Sequence, residues 1–538
     1  MGVILNQSAS LPGETAWTHW LAVTGADATG LPASRRLPAV PARLEAAFVA
    51  GREIWWRLGR TLFAEPTGNI THATACASVG SDFGIMIAWT LLVRDLAEQD
   101  ETTLVVCDDP WLFRELAALP GVRAGRAPGL LAANLRRRFR GVLARLRTAL
   151  RLAAAVWQTR RFRAQVAGSK AAILVYGHPS SDADGNDAYF NGLLQHLPDL
   201  ARLLHTDCPP QRAEALCADG RSASLHAWGS PLFALAVLPF TRWRPGRDVL
   251  AAPYGWIVRR AAAMENSGGG PAMNRWQMHC QRRWIEAEAP ANVAWPWENF
   301  AWERALVGTA RANGVRTLGY QHTVVGPHQF NYSVQANPDG LDSIPDVVIA
   351  NGPAYGQELR AWGIPAARLI DAGCFRFKPG KGPVYDPDAP VFVALSGNLK
   401  IVPQQMAVAE RLAASGRRVI VKEHPMYPVT FQESEQLSHT STHMAEQTAL
   451  SAVLYTTGAS GLDAVLAGIP CIRLQLADQI SINTLPAFST GLTADADTVV
   501  SVLDSAKAPE PADWHRIFSV PDIARWRLLL NGAPISSI

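Results

Sequence analysis

The run VFVALSGN at 391–398 is the first of three apolar segments that share one pattern. The second is RRVIVKEHPMYP at 417–428, and the third is AVLYTTGASGLDAVLAGIPCIRL at 452–474. Each contains a short apolar run that ends in small, hydroxylated or basic residues, which is typical of parallel strands buried on both faces. The carboxyl ends of such strands share one edge, where open α/β sheets bind their ligands. The stretch therefore predicts a Rossmann-like domain with a ligand site.

The residues at these strand ends suit a bound phosphate. Glycines let the backbone approach closely at a helix N-terminus, where free N–H groups and the helix dipole favour an anion. Hydroxyl groups add donors, His424 and Lys422 add positive charge, and Asp463 suits ribose hydroxyls. Ordinary turn chemistry is the alternative for each piece taken alone. The predicted nucleotide-binding residues are Ser396, Gly397, Lys422, His424, Pro425, Thr457, Gly458, Ser460, Gly461 and Asp463.

The KEHP and TTGASGLDAVLAGIP segments resemble the nucleotide-binding half of bacterial GT-B glycosyltransferases that build surface polysaccharides. Among these the resemblance is closest to enzymes that use CMP-activated acidic sugars, the Kdo and sialic-acid transferases. Their His-Pro motif and Ser/Thr-rich motif on the CMP phosphate match His424-Pro425 and residues 456–460. Many relatives have two serines followed by Glu, whereas this chain has Thr457, Ser460 and Asp463. The resemblance is close over 391–474 and looser over 293–373.

Two residues of the first half are the candidates for catalysis. The WPWENFAWE and GYQH segments, which contain Glu298 and His322, resemble the catalytic half of the same transferases. Both residues follow apolar runs, so both are expected at the strand-end edge that faces the other domain. There Glu298 would act as a general base or as a nucleophile, and His322 would donate a proton or hold a phosphate. The alternatives are a helix-start acid and a core histidine bonded to backbone.

Four further residues are predicted to contact the sugar or the acceptor. Arg376 would pair with the carboxylate that a CMP-ulosonate donor carries. Asp182 and Asp184 form a DxD pattern with Asp187 close by, and turn or N-cap roles are the alternative for all three. No metal site is predicted. The seven cysteines form no CxxC pair and no Cys/His cluster, which indicates neither structural zinc nor a disulfide framework and favours a reducing cytoplasm.

The window from Gly121 to Ser181 contains twelve arginines and no acidic residue. Apolar residues interleave with the arginines at roughly helical spacing, which predicts a basic amphipathic helix or a pair of them at about 121–168. A solvated helical face and a nucleic-acid contact are the alternatives. The chain as a whole carries only +4 and has no nucleic-acid-binding motif, so we expect contact with anionic lipid headgroups and none with nucleic acid.

Length and composition set the domain count and the class of protein. A chain of 538 residues with 48% hydrophobic and 18% charged residues indicates a well-buried globular protein of two or three domains. Residues 1–375 are predicted to form the N-terminal acceptor-binding and catalytic domain, which includes the basic helical segment. Residues 376–505 are predicted to bind the nucleotide sugar, and residues 506–538 to form a C-terminal helix that packs back on the first domain.

The prediction is an α/β protein with two Rossmann-like domains that face each other across a cleft, as in the GT-B fold. By resemblance it is a glycosyltransferase that moves an acidic sugar from a CMP-sugar to a bacterial surface glycan such as lipopolysaccharide or capsule, without a cofactor. Neither a signal peptide nor a membrane span is evident, so a cytoplasmic protein, peripheral on the inner face of the membrane, is expected. The alternatives are a transferase with a UDP-sugar or CDP-glycerol donor, and a non-catalytic glycan-binding or assembly protein.

Overall fold

The computed structural model describes residues 2–78, 80–380, 382–424, 427–489 and 491–537. The chain forms two compact units, one of residues 1–144, 242–271 and 475–480, the other of residues 145–241, 272–474 and 481–538. None of the helices in the described ranges combines the length and hydropathy that crossing a bilayer requires. All seven cysteines are buried, and none takes part in a disulfide.

The described residues form the following α-helices, in chain order: α1 Val40–Ala50, α2 Arg52–Phe63, α3 Phe83–Ala97, α4 Pro110–Ala117, α5 Leu131–Thr159, α6 Leu193–His196, α7 Pro210–Leu216, α8 Pro231–Val237, α9 Arg247–Ala251, α10 Gly255–Glu265, α11 Gly270–Glu288, α12 Ala301–Ala312, α13 Pro353–Ala361, α14 Val402–Ala414, α15 Ser460–Ala467, α16 Val499–Ser505, α17 Trp514–Ile517 and α18 Ile523–Leu530. Of the basic segment predicted to be helical at about 121–168, one long helix, α5, covers Leu131–Thr159, whereas Val122–Ala124 form a strand. A 3-10 turn at Arg160–Gln165 follows it.

The first unit contains a four-stranded parallel sheet that the sequence analysis did not separate from the rest of 1–375. Its order is β2-β3-β1-β4, with β1 Val3–Asn6, β2 His19–Val23, β3 Thr103–Cys107 and β4 Val122–Ala124. Every residue of β3 is buried, as expected for a central strand. After β3, Asp109 Oδ1 accepts from the backbone N–H groups of Trp111 and Leu112 at 3.0 Å, so this aspartate is the N-cap of α4.

The second unit contains a seven-stranded sheet in the order β11-β10-β9-β8-β5-β6-β7, with every neighbouring pair parallel. Its strands are β5 Ala171–Val175, β6 Leu200–Leu204, β7 Ser222–Ser224, β8 Asn292–Pro296, β9 Arg316–Tyr320, β10 Val347–Ala350 and β11 Leu369–Asp371. Strands β6 and β7 lie mostly in 201–273, a stretch whose sequence did not indicate a structure. They are short but wholly buried.

The same unit contains a six-stranded parallel sheet in the order β15-β14-β13-β17-β18-β19. Its strands are β13 Val391–Ala394, β14 Val419–Lys422, β15 Leu437–His439, β17 Ala452–Tyr455, β18 Cys471–Leu474 and β19 Leu492–Ala494. A separate pair joins β12 Val384–Tyr385 to β16 Ala449–Leu450. The three apolar runs quoted first are therefore neighbouring parallel strands, and their carboxyl ends share one edge.

Helix α18 packs on the seven-stranded sheet. The Trp526 ring lies 5.3 Å from the Tyr320 ring, 5.5 Å from Phe375 and 5.6 Å from Phe190, measured between centroids. Its indole N–H donates to the carbonyl of Ala372 at 3.1 Å, which satisfies the polar end of a fully buried side chain. The predicted fold class, α/β with two Rossmann-like sheets, is confirmed. The predicted domain boundaries at 375 and 505 stay predictions.

Candidate active site

Glu298 and His322 emerge side by side from the seven-stranded sheet. Strands β8 and β9 pair in parallel, with Pro296 opposite Tyr320, so the residues that follow each strand reach the same edge. Glu298 Oε1 and His322 Nε2 lie 3.9 Å apart. The Glu298 side chain keeps 29% of its surface exposed, whereas that of His322 is almost fully buried. The sequence placed this pair at one strand-end edge, and the structure brings the two side chains together.

The turn that presents Glu298 is held by a network of hydrogen bonds. Asn299 adopts a left-handed backbone conformation with φ +61°, which is uncommon for any residue but glycine. The carboxylate of Glu303, in the first turn of α12, accepts from the backbone N–H of Glu298 at 3.0 Å and of Asn299 at 2.7 Å. Asn331 Nδ2 donates to the Glu298 carbonyl at 2.6 Å, and Asn299 Nδ2 donates to the Asn331 carbonyl at 2.7 Å. The network fixes a strained turn, a feature that clusters at functional sites.

Burial raises the pKa values of the two carboxyl groups at this turn and lowers that of the imidazole. It raises the pKa of Glu298 to about 7, against the opposing positive charge of Arg376. Burial, together with the negative charge of Glu298, raises the pKa of Glu303 to about 8. Burial and then Arg376 lower the pKa of His322 to about 3, so this imidazole is neutral near pH 7. The pair at the strand ends is thus a carboxyl group whose pKa is about 7 beside an uncharged histidine.

Aromatic side chains that no sequence motif indicated lie beside this pair. The Tyr189 ring meets the His322 ring edge-on, with centroids 5.0 Å apart. Tyr176 packs between Tyr189 and His205 at 5.8 and 4.8 Å, and His205 lies 4.9 Å from Trp302. They come from the segments that follow β5, β6 and β8, so they lie on one side of the catalytic candidates. Aromatic faces of this kind suit the apolar face of a sugar ring.

Two of the three aspartates of the DxD region stabilise their own loop. Asp182 Oδ1 accepts from the backbone N–H groups of Asp184 and Asn186 at 2.9 and 3.0 Å. Asp187 is buried, and its Oδ1 accepts from the backbone N–H groups of Tyr189 and Phe190. Asp184 is exposed. The turn role that the sequence left open is therefore filled by Asp182 and Asp187, and contact of all three with sugar or acceptor stays a prediction.

The second part of the candidate site lies at the edge of the six-stranded sheet. Ser396 Oγ and Thr457 Oγ1 are 3.0 Å apart, which joins the ends of β13 and β17. The His424 ring lies against Gly397, since a Cβ on this glycine would come within 3.2 Å of the imidazole Nε2. Burial and the charge of Arg376 lower the pKa of His424, which favours a neutral hydrogen-bonding ring over the positive charge predicted from the sequence. Pro425 lies outside the described residues.

The turn into α15 supplies the proposed phosphate-facing backbone. Gly458 has φ +96°, a conformation that favours glycine, and its carbonyl accepts from Thr484 Oγ1 at 2.9 Å. Ser460 is the first residue of α15. Gly461 has a packing reason instead, because a Cβ there would come within 2.5 Å of the Tyr455 ring.

Two charged residues near this edge, Lys422 in β14 and Asp463 in α15, have protein partners. Lys422 Nζ donates to the carbonyl of Ser441 at 2.6 Å, in the loop after β15. Burial raises the pKa of Asp463 to about 6, against the opposing influences of His443 and Arg376. His443 Nε2 lies 4.0 Å from Asp463 Oδ2, a neighbour that the sequence did not indicate because the two residues are twenty positions apart.

Arg376 links the two edges. Burial is the larger influence on each titratable group nearby, and the Arg376 charge acts in addition on Glu298 and His322 from one sheet. The same charge acts on His424 and Asp463 from the other sheet. The arginine is itself exposed. Both strand-end edges thus lie within electrostatic reach of one guanidinium, and we consider them together as one candidate site. Among the described residues no cluster of His, Cys, Asp and Glu is arranged to hold a metal ion.

Three comparisons with known proteins give the following results. No protein-family model matches the sequence, and no curated protein matches it. Among solved structures, the spinosyn forosaminyltransferase SpnP is 12% identical, with 67% of this chain and 99% of that chain covered at a TM-score of 0.38. The glycosyltransferase SnogD from Streptomyces nogalater is 11% identical over 68% and 95%, at 0.34. MurG from Acinetobacter baumannii is 12% identical over 69% and 100%, at 0.34. Because these scores are low, the fold assignment rests on the strand order and parallel registers of this chain.

Proposed function

We propose that the protein is a glycosyltransferase that moves an acidic sugar, of the Kdo or sialic-acid type, from a CMP-linked donor to a bacterial surface glycan. The observation that carries the proposal is the pair of Glu298 and His322, 3.9 Å apart at a strand-end edge within reach of Arg376. A strongly shifted carboxyl on a fixed, strained turn is typical of a catalytic group, whereas a binding protein has no need of one.

The second edge would bind the nucleotide. Ser396, Thr457 and the N-terminus of α15 at Ser460 offer hydroxyl and backbone N–H donors to the donor phosphate. His424, whose ring lies against Gly397, adds a hydrogen-bonding group to the same edge. Arg376 would pair with the sugar carboxylate, because a guanidinium binds a carboxylate through two parallel hydrogen bonds.

The first edge would carry the chemistry. As a general base, Glu298 takes the proton of the acceptor hydroxyl while the acceptor oxygen bonds to the anomeric carbon. The bond from that carbon to the phosphate oxygen breaks, and the nucleotide leaves with the electron pair. As a nucleophile, Glu298 instead attacks the anomeric carbon while the nucleotide leaves with the electron pair. In a second step the acceptor oxygen displaces the Glu298 carboxylate, and the acceptor proton passes to the phosphate of the released nucleotide. Neutral His322 is placed to exchange a hydrogen bond with the reacting oxygens. The sugar donor is the activated reactant, so the proposal includes no cofactor.

Thermal unfolding of the full chain with CMP, CDP, UDP and GDP tests the donor class. A ligand that binds the folded state stabilises it by about 2.7 kcal/mol at one hundred times its Kd. We expect the largest rise in Tm with CMP, and a smaller rise with CMP in the variant His424→Ala. A preference for UDP or CDP would replace the CMP donor with a UDP-sugar or CDP-glycerol, and no response to any nucleotide would contradict the proposal.

A further inference from the structure

Helix α5 carries an apolar stripe that the fold leaves exposed. Leu135, Phe139, Leu146, Leu150 and Trp157 follow one another at intervals of four or seven positions, one or two helical turns, so they lie on one side of the helix. Phe139 is 69% exposed and Trp157 68%. Large apolar side chains in a continuous exposed patch mark an interaction site, whereas single exposed ones need no explanation.

A second stripe of α5 is positively charged. Arg136, Arg140, Arg147 and Arg151 each come directly after a residue of the apolar stripe, and all are exposed. One residue corresponds to about 100° around a helix, so the arginines form a row beside the apolar stripe. The third side of the helix, which includes Leu152 and Val156, is buried. The helix thus has one face that is buried in the fold and two adjoining exposed faces, one apolar and one basic.

A neighbouring segment contributes to the same surface. The buried Arg145 of α5 donates from Nε to the carbonyl of Pro239 at 3.0 Å, which places the 3-10 turn at Leu238–Phe240 beside the helix. Phe240 in this turn is 74% exposed, and Leu232 in α8 is 75% exposed. The exposed apolar and arginine stripes of α5, together with Leu232 and Phe240, are called the docking surface below.

We propose that the docking surface binds an anionic lipid bilayer, with α5 lying in the plane of the interface. Its apolar stripe would enter the boundary between headgroups and acyl chains, and its arginines would meet anionic headgroups. Long arginine side chains reach the headgroups while their stems cover apolar surface. Charge complementarity selects this occupant, because the window from Gly121 to Ser181 contains no acidic residue. A second copy docked through the same face would bring arginine rows together, and nucleic acid would leave the apolar stripe uncovered.

This inference goes beyond the proposed glycosyl transfer and does not need it to be correct. Transfer to a lipid-linked acceptor would gain from such docking, because it holds the enzyme where the acceptor lies. The tests below use neither nucleotide nor sugar, so their failure and that of the proposed function are distinguishable.

Sedimentation with vesicles tests the charge dependence. The full chain should bind mixed phosphatidylglycerol–phosphatidylcholine vesicles more tightly than pure phosphatidylcholine vesicles, and added salt should weaken the binding. Replacing Arg136, Arg140, Arg147 and Arg151 by Gln should reduce affinity about fivefold per arginine, hence on the order of 100-fold or more together. The matched control replaces the exposed arginines Arg282, Arg360, Arg411 and Arg527 by Gln, which gives the same net charge and should leave most of the affinity in place.

A second set of variants tests the apolar stripe. Leu135→Ser, Phe139→Ser and Leu150→Ser in one chain should lower the affinity for the mixed vesicles at least about 100-fold, because three large apolar groups lose their burial. The matched control replaces the exposed Val384, Leu399 and Val520 by Ser and should bind like the wild type. All six positions are exposed, so the folded state should tolerate each change.

A fluorescent label reports insertion directly. Because the seven native cysteines are buried, a single added cysteine can be labelled selectively with a polarity-sensitive dye. Labels at Phe139→Cys should shift to shorter wavelength on the mixed vesicles, and labels at Leu399→Cys should not. Failure to bind vesicles, equal binding by the four-arginine variant, or an unshifted label at position 139 would each overturn the proposal. So would a wild-type dimer in solution that Phe139→Ser dissociates, since the surface would then join two copies.

Discussion

The two strand-end edges of the second unit offer different chemistry. The seven-stranded sheet presents Glu298 and His322, two groups with strongly shifted pKa values. Hydrogen bonds hold the turn at Glu298 in a strained conformation. The six-stranded sheet presents hydroxyl groups, a left-handed glycine and a helix N-terminus around Ser396, Gly458 and Ser460. The first set can move a proton or attack a carbon, and the second can bind an anion without titrating.

This difference teaches how one site can separate reaction from recognition. Displaced pKa values require burial and fixed neighbours, which Glu303 and Asn331 provide beside Glu298. Anion binding requires free donors and close approach, which a turn into a helix provides with few supporting contacts. Variants at the first edge should therefore change the rate, and variants at the second should change nucleotide affinity.

The largest expected effect is that of Glu298→Gln. The variant keeps the shape of the side chain and removes its charge, so loss of the base or nucleophile should lower the transfer rate about 100- to 10,000-fold. Single-turnover transfer assays measure the rate, and CMP titration should give an unchanged Kd. The control Glu286→Gln, at an exposed position of α11, should transfer like the wild type. A rate near the wild-type value would make Glu298 a helix-start residue and direct the search for the carboxylate to Asp182, Asp184 and Asp187.

The pH dependence of transfer should follow the Glu298 carboxylate. Because burial raises its pKa to about 7, the rate should rise with pH and level off above about 7. Below that pKa, each unit by which the pH falls should lower the rate about tenfold. His322 stays neutral over this range, so it should add no second transition to the pH–rate profile.

The raised pKa of Glu298 affects stability in the opposite direction to the transfer rate, because it favours the folded state at acid pH. A carboxyl whose pKa is raised on folding holds its proton more tightly in the folded state, so its contribution to the free energy of unfolding is largest at acid pH and falls as pH rises toward 7. Loss of rate at acid pH therefore cannot come from this group through unfolding. A transfer rate that stays constant from about pH 5.5 to about pH 8 would remove Glu298 from the chemistry.

The smallest expected effects belong to the nucleotide edge. His424→Ala and Ser460→Ala should each weaken CMP binding by about 1–3 kcal/mol, the range for a hydrogen bond to a charged group. The maximal transfer rate at saturating donor should stay close to the wild-type value. Isothermal titration gives the affinity, with Ser505→Ala, outside the strand-end turns, as the control. Unchanged CMP affinity in both variants would sink the assignment of this edge.

Local sequence indicated the central strands of the six-stranded sheet and the edge at which their carboxyl ends meet. The composition of the apolar runs that form β13, β14 and β17 indicated parallel strands, because a strand buried on both faces is apolar throughout. The residues that follow each strand were therefore assignable to one edge, as were Glu298 and His322 after β8 and β9. Strands β6 and β7 escaped prediction because they are only five and three residues long, and the Arg in β6 and the serines in β7 leave no clear apolar period.

Only the tertiary structure decided how the site is supported and which helix face is free. The Asn299–Asn331 pair and the position of Arg376 near Asp463 depend on contacts between segments far apart in the chain, which no local pattern encodes. For α5, the sequence showed that apolar residues and arginines share a helix, but periodicity is the same whether an apolar face is covered or not. The fold covers the face with Leu152 and Val156 and leaves that with Phe139 and Trp157 to solvent, because burial depends on where the neighbouring elements pack.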